Sequence, residues 1–110
     1  MEQALLVMTN LPDRQSAQLM ARTLVEARLA ACVNLVEGVH AIYRWQGQIE
    51  EVVEVTLQIK TTQSKFAQLK KAILMAHPYE LPEIIALHID QGSAPYLHWI
   101  EQQTKPDEHA

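Results

Sequence analysis

The chain has 110 residues, 48% hydrophobic and 20% charged, with a formal net charge of −4 at pH 7. That length and balance suit one globular domain over residues 1–110 with its own core, and they exclude global disorder. Nine scattered Lys and Arg against thirteen Asp and Glu exclude a basic nucleic-acid surface, and no apolar run approaches the roughly 18 residues of a membrane-spanning helix.

Ala4 to Thr9 is a short continuous apolar run, the pattern of a strand buried on both faces. Asp13, behind Pro12, caps a helix in which Ala17, Met20, Ala21, Leu24 and Ala27 recur at helical spacing, with an end expected near Ala30. From Cys32 the β-branched and aromatic residues predict a long strand, broken at Gly38 by a bulge or bend and continuing from Val39 to Trp45. Gln46-Gly47 reads as a two-residue hairpin turn. The return arm, Gln48 to Thr61, places Val53, Val55, Leu57 and Ile59 on one face and Glu54, Thr56, Gln58 and Lys60 on the other. Thr62 or Ser64 begins a second helix with Phe66, Leu69 and Ile73 inward. His77-Pro78 ends it, because proline disfavours helical geometry in the residue before it. Ile84 to Asp90 forms the last strand, Ser93 caps a short helix carrying Tyr96, Leu97, Trp99 and Ile100, and residues 104–110 form a polar, frayed tail.

The order β-α-β-β-α-β-α predicts an α+β fold of the ferredoxin-like, split βαβ kind. Its four-stranded sheet is antiparallel, with two helices on one face and an added C-terminal helix. Each hairpin arm spans about 40 Å at ~3.3 Å per residue, more than the two helices of one subunit cover. Near the tip both faces are apolar, with Ile42 and Ile49 on one side and Tyr43 and Trp45 on the other. A second copy is therefore expected to cover them, the hairpin extending a neighbouring sheet.

The densest chemistry lies in His77-Pro78-Tyr79-Glu80-Leu81-Pro82-Glu83, a loop held by two prolines that presents an imidazole, a phenol and carboxylates. Imidazole with carboxylate suits copper, zinc or nickel, and a thiolate from Cys32 favours copper or zinc, so His77, Cys32 and Glu83 are the candidate metal ligands. The opposing reading is structural: His77 closes the second helix, and Cys32, the single cysteine, is a small core residue. The sequence shows no glycine-rich phosphate loop, nucleophile elbow or convincing pair of acid/base carboxylates, so no enzyme activity is expected. Glu50, Glu51 and Glu54 read as a solvated face or an ion-pair edge between subunits. One cysteine allows no internal disulfide, and Met1-Glu2-Gln3-Ala4 lacks the positive start of a secretory signal, so a cytoplasmic chain is expected.

Five segments occur in order: Leu29-Ala30-Ala31-Cys32-Val33-Asn34, Tyr43-Arg44-Trp45-Gln46-Gly47-Gln48-Ile49-Glu50, Lys60-Thr61-Thr62, residues 77–85 from His77 to Ile85, and Tyr96-Leu97 followed by Trp99-Ile100. Together they resemble the CutA family of divalent-cation-tolerance proteins over nearly the whole chain. The resemblance implies a ferredoxin-like subunit in a tight homotrimer, similar in architecture to PII signalling proteins. It further implies a cytoplasmic protein linked to tolerance of copper and other divalent ions, without established catalytic activity. Some members carry a cysteine late in the first strand and a His-His pair before Pro-Tyr as copper ligands. Those positions here are Met8, Ala76 and His77. The family's intersubunit cleft implies a second site, at which Cys32, Lys60, His77, Tyr79 and Glu80 hold matching motif positions, with Tyr43 and Trp45 on the hairpin. The alternative function is a PII-like signalling or scaffold trimer. Its cleft takes a small anion or a partner segment, with Lys60 supplying charge and Tyr79 a hydrogen bond. A small hydrolase on the same fold is a third reading, against which stands the lack of an arginine-rich anion loop.

Overall fold

The computed structural model describes residues 1–106. The elements are β1 (Ala4–Leu11), α1 (Arg14–Glu26), β2 (Cys32–Trp45), β3 (Gln48–Thr62), α2 (Phe66–Ala76), β4 (Ile85–His88) and α3 (Ala94–Gln103). The sheet has the order β2-β3-β1-β4 with every neighbouring pair antiparallel, the split βαβ topology expected.

Asp13 adopts extended geometry and its carboxylate accepts the Ser16 N–H at 2.7 Å, which satisfies one of the free donors at the start of α1. These Ser16 bonds hold the Asp13 carboxyl below its ordinary value of 3.8. A depressed folded value means the cap stabilises above the unfolded pKa and is lost as pH falls through the folded one. Asp13→Ala should therefore melt lower than the parent at neutral pH, and the gap should close below about pH 4, as thermal scans across pH will show.

The end of α1 differs from the sequence expectation. The helix stops at Glu26 rather than near Ala30, because Arg28 turns left-handed at φ 58°. Its N–H bonds to the Val25 carbonyl at 3.1 Å and the Leu29 N–H to that of Leu24 at 3.0 Å, the Schellman pattern without its usual glycine. This turn frees Ala31 to donate to the Lys60 carbonyl at 2.8 Å and so enter the sheet.

In the hairpin, the pairing of β2 with β3 slips between Val36 and Val39, and Gly38 takes φ 72° within this bulge. Gln46 and Gly47 both have positive φ, 49° and 80°, as a two-residue turn matched to the sheet twist requires.

One sheet face carries Leu5, Val7, Leu11, Val55, Leu57 and Ile59, closed by Ala17, Met20 and Leu24 of α1 and by Leu69 and Ile73 of α2. Phe66 is half-buried against this core, following a 3-10 turn at Gln63–Lys65. The opposite face meets α3 at one end, where Ile100 packs on Ala4 and Ala31. Ser93 stands at the N-cap of α3 without a side-chain cap bond. Two further boundaries move. β4 is confined to Ile85–His88, although the Ile89 N–H still bonds to the Ala4 carbonyl at 3.0 Å. Thr104, expected in a frayed tail, is buried and donates to the Ile100 carbonyl at 3.0 Å, while residues 107–110 of that tail lie outside the described residues.

The molecule measures 48 × 30 × 22 Å with a radius of gyration of 14.8 Å, elongated beyond the ~13 Å of a compact chain of this length. Strand register explains which side chains the hairpin displays. Ile42 lies opposite Glu51 and Ile49 opposite Arg44, so Ile42, Ile49 and Val53 share a face, exposed by 66%, 59% and 56%. Ala41, Tyr43, Trp45, Val52 and Glu54 turn to the other face.

Candidate functional site

Residues 77–83 carry the chain from the end of α2 across the end of β1. At His77 the backbone turns extended (ψ 134°), with its N–H still bonded to the Ile73 carbonyl at 2.9 Å. The ring then bridges two segments: Nε2 lies 2.7 Å from the Asn10 carbonyl, and Nδ1 accepts the Tyr79 N–H at 3.1 Å. In a neutral imidazole only the tautomer protonated at Nε2 satisfies both bonds, so its one lone pair is already engaged. The rings of His77 and Tyr79 also sit 4.9 Å apart.

Tyr79 continues the chain of contacts into the sheet. Its hydroxyl donates to Glu54 Oε2 at 2.7 Å. Burial first, and then the Glu54 carboxylate, push the Tyr79 phenol well above its ordinary range, so it stays a donor at any physiological pH. Glu54 is only 5% exposed. Beside it, the Thr56 hydroxyl donates to Asn10 Oδ1 at 2.7 Å, joining β3 to β1 on the same face.

Between this loop and the hairpin opens a cleft of about 630 Å³, whose lining includes Tyr43, Trp45, Glu54, Tyr79, Glu80 and Glu83. The structure thus gathers Tyr43, Trp45, Tyr79 and Glu80, named above for a cleft between subunits, in a cleft within one chain, together with Glu83, named as a metal ligand. It does not bring Lys60 or Cys32. These two face each other across β2 and β3, six residues along β3 from Glu54, or about 20 Å at ~3.3 Å per residue. The Lys60 ammonium contacts Asn34 Oδ1 instead, and Cys32 is half-buried beside the Tyr96 hydroxyl. The cleft within one chain is therefore acidic, and Lys60 lies outside it. Glu54 was missed as a site residue. Its place in the polar row of an alternating strand reads as outward-facing, and only the loop folding over it makes it interior.

The expected metal set is not assembled within one chain. Among the described residues no group of three or more His, Cys, Asp or Glu converges as a metal site. Ala76 offers no donor atom, and His77 must give up a bond to bind an ion. Its bonds are those of a loop anchor. His77→Ala should cost about 1–3 kcal/mol, the penalty for leaving polar partners unsatisfied, measurable by chemical denaturation.

The sequence model of the CutA1 divalent ion tolerance protein family matches residues 5–103. The chain belongs to this family. It is 46% identical over 98 residues to the "Divalent-cation tolerance protein CutA" of Thermus thermophilus, a match covering 89% of this chain and 95% of that one. It is 48% identical over 94 residues to mouse "Protein CutA", covering 86% of this chain and 53% of the mouse protein, so it spans about half of that longer relative. In three dimensions it is similar to the solved divalent cation tolerance protein of Thermus thermophilus, with a TM-score of 0.90 at 44% identity, covering 93% of this chain and 99% of that one. For a CutA1 family member, the His77–Tyr79–Glu54 relay means that the 77–83 loop and the long hairpin form one coupled unit.

Proposed function

We propose that the chain acts as a homotrimer in the response to divalent metal ions, binding copper and related ions through ligands drawn from more than one copy. The observation that carries the assembly is the hairpin. Its tip exposes Ile42, Ile49 and Val53 together, an apolar surface that one subunit leaves uncovered. Family membership supports the role in divalent-cation tolerance. Copper has soft and borderline donors available in Cys32 and in His77 once released from Tyr79, with Glu80 and Glu83 as harder ones. We take the compartment to be the cytoplasm, in keeping with an unpaired Cys32. The reading includes no catalytic role. Its test is growth: in cells lacking their own copy, this chain should restore tolerance to raised copper, zinc or cadmium. Failure to restore tolerance of any of them, with the protein present at normal levels, removes the reading.

A second reading is a PII-like signalling or scaffold trimer that binds a small ligand in the cleft. One observation favours it. The 630 Å³ cleft converges on a buried carboxylate, a layout that suits an organic ligand.

A further inference from the structure

The charge in the cleft decides what enters it. Glu54 is buried to all but 5% of its surface, yet among the described residues neither lysine nor arginine lines the cavity. Its Oε2 accepts from Tyr79, and among the described residues no other hydrogen bond or ion pair is made to the Glu54 carboxylate. Desolvating a carboxylate is costly unless a charged or strongly donating partner compensates, and one phenol is a partial compensation. Glu80 and Glu83 add negative charge at the exposed rim. Tyr43 and Trp45 stand on the same hairpin face as Glu54, so their rings wall the cavity that the carboxylate closes. An aromatic wall and a buried negative charge both favour one chemistry, a compact organic cation: the rings offer their negative faces, and the carboxylate offers an acceptor in a low-dielectric setting.

We infer that the cleft between the 77–83 loop and the hairpin is a recognition site for a primary ammonium or guanidinium group, seated against Glu54 and flanked by Tyr43 and Trp45. The inference rests on the second reading above, in which the cleft binds a small ligand. It gives that ligand a charge opposite to that of an anion. Tyr79 acts as the positioning residue, holding Glu54 by one oxygen while the other is left to the ligand.

The test is isothermal titration of the full-chain oligomer in chelator-treated, metal-free buffer, which keeps divalent-ion binding out of the readout. The probes are n-butylammonium and n-butylguanidinium, with n-butanol and butyrate as neutral and anionic counterparts of the same length. Saturable binding of the cations, with butanol and butyrate at least about tenfold weaker, is expected, since one hydrogen bond between charged groups carries that much discrimination. Glu54→Gln, which keeps the shape and the Tyr79 bond, should lose about tenfold or more for the cations and leave butanol unchanged. If that variant does not fold, Trp45→Leu at the hairpin surface carries the test, with a severalfold loss confined to the cations. A capped Gly-Arg-Gly peptide distinguishes sources: binding equal to butylguanidinium points to a partner's side chain, weaker binding to a free amine, and either supports the cationic site. Equal binding of butanol or butyrate overturns the inference while keeping a ligand cleft. No binding of any probe overturns both.

Discussion

Ile42→Glu is expected to split the assembly into single folded chains. Ile42 stands at the far end of β2, 66% exposed, on the face it shares with Ile49 and Val53. In an isolated subunit such a surface exchange changes stability by no more than about 0.5 kcal/mol. In a trimer that buries this face, each copy instead places an unpaired carboxylate at an apolar contact, which costs roughly several kcal/mol per copy. The strands carrying the substitution stay paired, because Ile42 contributes nothing to the core formed by α1, α2 and the sheet. Light scattering should therefore report the mass of one chain, with an unchanged far-UV dichroism spectrum. A variant that keeps the parent mass would show that the tip is not the contact.

The largest expected loss of stability follows Leu57→Ala. Leu57 is fully buried at the centre of β3, between Thr9 on β1 and Leu35 on β2, and faces both helices. Truncation leaves a cavity that this close-packed site fills poorly, at a cost of about 2–5 kcal/mol. Its strand neighbour Thr9 is also fully buried, and the Thr9 hydroxyl has no hydrogen-bond partner among the described residues. A cavity beside it offers that hydroxyl no new partner. Against a total of roughly 5–15 kcal/mol for a domain, the change removes a large share of the stability. Urea denaturation should show the midpoint falling with little change in slope, while Leu19→Ala on the exposed face of α1 should shift it by only about 0.5 kcal/mol or less.

Local chemistry made most of the fold legible. The Asp13 cap, the Gly38 bulge, the Gln46-Gly47 turn and the alternation through Val55, Leu57 and Ile59 all depend on neighbours in sequence, and all are present. The end of α1 was hidden because arginine has no particular preference for the left-handed geometry Arg28 adopts; tertiary entry of Ala31 into the sheet imposes it. β4 was overextended because Ile84, Ile89 and Asp90 continue its apolar-polar texture, whereas the ladder ends at His88 with one further bond, from the Ile89 N–H to the Ala4 carbonyl at 3.0 Å. The site was legible to the extent that its residues sit on one loop or one hairpin face. Tyr43, Trp45, Tyr79 and Glu80 meet because the loop folds over the hairpin face that carries Glu54, in the half nearer the tip. Lys60 and Cys32 belong to shared sequence motifs, yet strand register places them at the opposite end. Glu54 illustrates the converse. Alternation marks it as an outward side chain, and only a contact across 25 positions of sequence, from Tyr79, makes it buried.

The most direct test of a metal-binding trimer is native mass spectrometry of the purified chain titrated with copper(II), zinc(II) and cadmium(II). The expected result is a species of three chains that takes up a whole number of ions and then saturates, three by symmetry, with His77→Ala leaving the chain count unchanged. A single chain at micromolar concentration, or a trimer that gains metal gradually without saturating, would contradict it.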